Sequence, residues 1–237
     1  VSPLQAAPGG PTSSQVKKAG SLVRKAMRGE SMDRVDLLSQ AIEIISAHRA
    51  TFRSPLVSAN NSLRYWVEKL DLDGQVSQRL KRMQTILDKM KREPTLALNR
   101  MHDIGGCRVV LPGRKDVSTL VEALRGMDRT LQVRDYIAEP RQSGYRGVHL
   151  IMEYGKCPRP IEVQVRTHAM HRWATTVEDI SGNAGVNYKM DGASPMQVFL
   201  ECYSRVLDCV DTGRDAPKPL LEEYETLLSK AFREELR

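Results

Sequence analysis

The sequence predicts an α/β (α+β) protein with a mixed central sheet of about five strands, flanked by helices and extended by helices at both ends. Three observations carry this. Apolar residues recur at helical spacing up to Pro94, and beyond it they gather in strand-length runs separated by turn residues. Helical spacing then returns at His168 and continues to near the end of the chain. The length of 237 residues suits one globular domain with helical extensions, or two small ones.

The elements follow in order. Residues 1–14 are rich in Pro, Gly and Ser and read as a disordered tail. Ser14 is expected to cap a short basic helix over 15–28 that carries Lys17, Lys18, Arg24, Lys25 and Arg28 and stops at Gly29. Residues 31–50 place Val35, Leu38, Ile42 and Ile45 on one helical stripe. The segment 52–59 contains Pro55 and is expected to connect to a helix over 60–70. The clearest amphipathic pattern runs over 75–92. There Leu80, Met83, Ile86, Leu87 and Met90 share one arc, with Lys81, Arg82, Thr85 and Lys89 opposite. Pro94 ends it. Strands are expected at 106–111, 131–137, 146–154 and 160–166, with a helix at 117–127. Helices at 168–180, 195–210 and 217–233 complete the pattern. A helical segment (15–70), a core (71–192) and C-terminal helices (193–237) result.

Composition narrows the function classes. Lys plus Arg number 36 against 29 Asp plus Glu, a net charge of +7 that favours nucleotides or RNA as partners as readily as it describes a solvated basic surface. The four cysteines form no CxxC pair, which argues against structural zinc and against a disulfide framework, and suits a reducing cytoplasm. Cys107 and Cys202 lie in apolar patterns and read as core thiols. No apolar run reaches the roughly 18 residues that span a bilayer, and the first residues lack the apolar stretch of a secretory signal. Neither a membrane nor DNA is expected as a partner. No GxxxxGK[ST] or GxGxxG occurs.

The chemistry concentrates in the strands. Along 161–166, Ile161, Val163 and Val165 alternate with Glu162, Gln164 and Arg166, so one face is apolar and the other polar. Asp103 precedes the first core strand, and Gly105 and Gly106 behind it permit close approach of backbone or ligand. Asp103 and Glu162 together suit Mg2+, a hard cation that takes carboxylate and phosphate oxygens, and Glu162 suits acceptance of a hydroxyl proton. By spacing alone the pair equally describes two surface acids.

Four strings change that balance. Arg79-Leu-Lys81-Arg-Met-Gln-Thr85-Ile-Leu-Asp-Lys89-Met90 resembles the RxKxxxSIxxKM element of the RelA/SpoT family, with Thr for Ser. DIGGCRVV at 103–110 resembles its DIxGxRV, and DYIAEPRQSGYRGVH at 135–149 is similar to its DYIxxPKxNGYxSxH. IEVQVRTHAMHRWA at 161–174 resembles its vEiQIRTxxMHxWA. The four occur in the family's order over about 100 residues. The resemblance says little about 1–50 or 195–237.

This resemblance implies a nucleotidyltransferase-like synthetase fold and transfer of the β,γ-pyrophosphate of ATP to a ribose 3′-hydroxyl. It implies that Lys81 and Lys89 contact ATP phosphates, that Arg79 and Arg108 stack on adenine, and that Asp103 and Glu162 hold Mg2+, with Glu162 deprotonating the acceptor. It implies an acceptor pocket of Ser143, Tyr145, His149, Gln164, Arg166 and His171, with Tyr145 stacking on the base. Taken singly, each has a plainer reading: a solvated helix face for either lysine, a strand-edge ion pair for Arg108, a ring packed on the sheet rim for Tyr145, a core residue for His149 and for Trp173. The acceptor stays open. GDP or GTP is the first expectation. A toxin that modifies the 3′ end of tRNA is the second, because Ser143 stands where the family has a guanine-contacting Asn, and Gly147 where it has Ser. An adenine nucleotide is the third. An antitoxin or further copies of the chain are possible partners. The dipeptide His102-Asp103 is no hydrolase signature in this setting. An inactive regulatory relative is disfavoured because both acids are present.

Overall fold

A computed structural model describes residues 10–30, 35–184, 186, 188 and 193–235. Eight α-helices and five strands are found among them. The first part holds α1 (Ser13–Met27), α2 (Val35–Ala50), α3 (Arg53–Lys69), β1 (Gln75–Leu80) and α4 (Met83–Arg92). A 3-10 turn at Leu98–Arg100 leads to β2 (Gly105–Leu111), α5 (Arg114–Arg125), β3 (Thr130–Asp135), β4 (Val148–Tyr154) and β5 (Arg159–Thr167). Helices α6 (His168–Ala184), α7 (Pro195–Asp211) and α8 (Lys218–Glu235) follow. The five strands form one mixed sheet in the order β1-β2-β5-β4-β3. The predicted fold class is therefore the observed one.

The chain makes two compact units. One takes Val1–Ser62, Ser77–Cys107 and Ile151–Glu162; the other takes Leu63–Val76, Arg108–Leu150 and Val163–Arg237. In the first, α1 buries Val16, Ala19, Gly20 and Val23, one stripe at helical spacing. Its cap is Thr12 rather than Ser14, with Gln15 completing a capping box. Gly20 is needed here, because a Cβ at that position would lie 2.9 Å from Leu98 Cβ on the 3-10 turn. At the start of β2, a Cβ on Gly105 would lie 2.7 Å from Ile161 Cδ1 and 3.4 Å from Phe52 Cδ1. In the second unit, α7 and α8 pack with α6 around Trp173, Val177, Phe199, Leu200 and Leu207. Ser194 and Gln197 cap α7 reciprocally, with Pro195 in its first turn.

Two expectations are corrected. The segment 75–92 is not one helix: 75–80 is the edge strand β1, and the helix starts at Met83. Met83, Ile86, Leu87 and Met90 carry the helical stripe alone, and Leu80 extended it by coincidence. The segment 52–59 is not a connection either, since α3 runs from Arg53 through Pro55. Proline in the first turn removes an N–H that has no intrahelical partner there. The expected helix start at Ser31 lies outside the described residues, as do residues 1–9 of the expected tail. Cys107, Cys202 and Cys209 are buried free thiols and Cys157 is exposed; burial pushes the Cys107 thiol up to about 12. Among the described residues, no helix is long and apolar enough to cross a membrane.

Candidate active site

In the first unit, the end of β1 delivers Lys81. Its N–H donates to Ile104 O at 2.8 Å, and its carbonyl accepts from Arg49 Nε of α2 at 2.6 Å. The backbone is thus held from both sides. Lys81 Nζ donates to Asp103 Oδ2 at 2.5 Å, and Lys89 Nζ, from α4, reaches the same oxygen at 3.0 Å. A continuous helix would separate these two lysines by about 12 Å along its axis. The change from strand to helix between them brings both ammonium groups onto one carboxylate. Burial raises the Asp103 carboxyl's pKa, but Lys81 and Lys89 outweigh this and hold it below the ordinary carboxylate value. Its other oxygen, Oδ1, is buried and has no hydrogen-bond partner among the described residues.

Glu162 belongs to the same unit and sits on β5, next to β2 in the sheet. A Cβ on Gly106 would come 3.6 Å from Glu162 O, an ordinary contact, so these neighbouring strands place the two residues side by side without requiring the glycine. Ile161, Val163 and Val165 are fully buried while Glu162 and Gln164 are partly exposed, as the alternation predicts. Arg79 is exposed on β1. No cluster of three or more His, Cys, Asp or Glu occurs among the described residues, so a cation here would complete its coordination with phosphate and water oxygens. The donor set fits Mg2+ on chemistry: a carboxylate oxygen without a hydrogen bond, and a second acid in the same unit.

The second unit gathers the remaining predicted residues. Arg166 is only 3% exposed, so at its position the polar face of β5 is covered rather than solvent-exposed. Its Nη2 donates to Tyr145 OH at 2.9 Å and to Gln164 Oε1 at 2.8 Å, and Nη1 is buried without a partner among the described residues. Tyr145 OH also bonds His149 Nε2. The Tyr145 ring is buried, meeting Tyr136, His149 and Trp173 edge-on at centroid distances of 5.7, 5.4 and 6.1 Å. Gly147 makes room for this. Its φ is +147°, and a Cβ would lie 3.1 Å from Arg166 Cγ and 3.3 Å from Tyr145 OH. Ser143 is buried in the same loop. His171, on α6, is held below the ordinary histidine value by burial first, then by Arg108 and Arg166, which keeps it neutral near pH 7. Trp173 is core, donating its indole N–H to Leu200 O at 2.7 Å.

Several contributors have no signature in the sequence. Arg49, Ser204 and Asp208 act through partners 32 to 62 positions away, and no local pattern marks them.

The region found in RelA / SpoT proteins matches residues 78–192. The GTP pyrophosphokinase YjbM of Bacillus subtilis is 35% identical over 135 residues, 53% of this chain and 61% of that protein. The GTP pyrophosphokinase YwaC of the same organism is 30% identical over 137 residues, 51% of this chain and 60% of that protein. The chain therefore spans about six tenths of these relatives' length. Among solved structures, small alarmone synthetase 1 of Bacillus subtilis bound to its product pppGpp superposes with a TM-score of 0.58 at 26% identity, over 69% of this chain and 93% of that one. A GTP pyrophosphokinase family protein of Streptococcus pneumoniae gives a TM-score of 0.58 at 25% identity, over 69% of this chain and 89% of that one.

Proposed function

Since the chain belongs to the RelA/SpoT family through residues 78–192, we propose that it is an ATP-dependent pyrophosphokinase acting on the 3′-hydroxyl of GDP or GTP to give (p)ppGpp. The observation that carries this reading is the pairing of Lys81 and Lys89 on Asp103 at the head of β2. Two partly buried ammonium groups with one carboxylate leave a local excess of positive charge, which suits a triphosphate. Arg79 and Arg108 are assigned to the adenine, whose π face a planar guanidinium can cover.

In the proposed reaction the acceptor's 3′-oxygen attacks the β-phosphorus of ATP. The bond from that phosphorus to the oxygen bridging the α-phosphate breaks, and AMP leaves. Glu162 accepts the hydroxyl proton. Asp103 and Glu162 would hold Mg2+, which neutralises phosphate charge when bound. Tyr145, His149, Gln164, Arg166, His171 and Ser143 are assigned to the acceptor. Arg166 is suited to an acceptor phosphate because one end of its guanidinium lacks a partner among the described residues.

A second reading takes the 3′ end of tRNA as acceptor and makes the protein a translation-blocking toxin. Ser143 favours it: a buried serine offers a guanine edge less than an asparagine does. One assay separates the readings. The protein is incubated with γ-labelled ATP and Mg2+, and separately with GDP, GTP, ADP and deacylated tRNA. Label transferred to GDP or GTP, and lowered roughly 100-fold or more by Glu162→Gln with ATP still bound, supports the proposal. Label on tRNA alone replaces it with the second reading, label on ADP with an adenine-nucleotide kinase, and label on none rejects the enzyme.

A further inference from the structure

The loop over residues 141–147 carries Ser143 and Tyr145 but makes few backbone bonds of its own. Gly144 N–H donates to Arg141 O at 2.9 Å, and Arg141 N–H to Tyr145 O at 3.2 Å. At the end of the loop Gly147 O accepts from Tyr136 N–H at 2.9 Å, and its middle is held by α7, a helix wholly beyond residues 78–192. The Ser204 hydroxyl donates to Gly144 O. Gly144 has φ +88°, and a Cβ there would lie 2.8 Å from Ser204 Cβ and 3.0 Å from Glu201 Cα, so helix and loop backbones touch. One helical turn further on, Asp208 pairs with Arg146 at 3.4 Å and also binds Arg114. One turn before, Leu200 O takes the Trp173 indole N–H.

Leu200, Ser204 and Asp208 recur every four residues, so a single stripe of α7 makes all three contacts. Two of them fall on Gly144 and Arg146, the residues on either side of Tyr145. From this we infer that the stripe is the template for the 141–147 loop, and that Ser204 and Asp208 are positioning residues that set acceptor affinity without touching the acceptor. The inference rests on the assignment of this loop to the acceptor. Its physical basis is that the Tyr145 hydroxyl, fixed by Arg166 and His149, can hold its place only if the backbone on both sides is held as well. A small misplacement at a binding group is costly.

The test compares wild type with Ser204→Ala, Asp208→Asn and Asp208→Glu in steady-state kinetics and amide hydrogen exchange. Removing the hydroxyl or the charge should raise the KM for GDP roughly tenfold, the cost of one lost bond to a charged or buried group. The KM for ATP and the kcat at saturating GDP should stay unchanged, and exchange should quicken in 141–147 alone. Asp208→Glu, which keeps the charge, should recover most of the affinity. Unchanged exchange in the loop overturns the inference, as does a quickened loop with an unchanged KM for GDP. An equal rise in both KM values with a lower melting temperature also overturns it, because that marks a scaffold role. Failure of the functional reading shows separately: the wild type then transfers pyrophosphate to no guanine nucleotide, while loop exchange in the variants still reports on α7.

Discussion

His48 shows how burial alone gives one side chain a pH response. It is 6% exposed, with Phe52 edge-on at 5.3 Å and Arg159 nearby. Burial, with a smaller push from Arg159, lowers its pKa to about 4. The folded value lies below the unfolded one, so the unfolded chain takes up a proton that the native protein refuses. Stability should therefore be flat above about pH 6.5 and fall as pH drops from there towards 4, by about 2 kcal/mol at pH 5. Urea unfolding at pH 7 and pH 5 checks this: the midpoint should drop in wild type and drop less in His48→Gln. Asp103 has the opposite sense of shift relative to its charge, because its lysine partners hold it ionised, and its contribution is lost only below the ordinary carboxylate range. At this scale the sequence identified residue types well. Lys81, Lys89 and Asp103 could be named, but their meeting on one oxygen depends on a strand-to-helix change that local spacing misread. The alternation puts Arg166 on the polar face of β5 but leaves open whether that face is exposed; its burial depends on Tyr145, 21 positions away, which no local pattern marks.

Elements were most legible where a periodic run had clear ends. The strands β2, β4 and β5 and helices α6, α7 and α8 follow from such runs, since turn residues and caps bound them. β1 was not legible, because Gln75-Val-Ser-Gln-Arg-Leu is short, mostly exposed and borders a genuine helical stripe. Its strand character comes from its place beside β2, a contact with distant chain. The docking of α1 follows the same logic, resting on Gly20 against Leu98. Gly20→Val should overpack this contact and cost about 1–3 kcal/mol, although valine is no worse than glycine as a helix former. Chemical denaturation should show the loss, while Ser21→Val, on the exposed face, should change stability by less than about 0.5 kcal/mol.

For the whole molecule, four strand-length runs are legible and the sheet has five strands, the fifth being β1 from the segment read as helix. Their order was beyond the sequence, because β5 lies between β2 and β4 and only long-range pairing decides that. The family resemblance supplied the chemistry of the centre and was silent on α2 and α7, which turn out to support it. The net charge of +7 is a property of the whole chain and should act on polyanionic substrates as a whole. Raising salt from about 0.05 to 0.5 M should raise the KM for ATP several-fold and leave kcat nearly constant, since screening weakens capture of a charged ligand more than chemistry within the bound complex. A KM indifferent to salt would show that short-range contacts dominate ATP capture.

The bond from Arg49 to the Lys81 carbonyl also governs how this protein can be cut and grafted. The stretch that matches the region found in RelA / SpoT proteins begins at residue 78, so an excised fragment with that boundary keeps the lysine and loses its anchor on α2. The smallest portable form of the Lys81, Lys89 and Asp103 cluster must bring α2 along. A chimera that exchanges only the family region would inherit the charges without the grip that aims them.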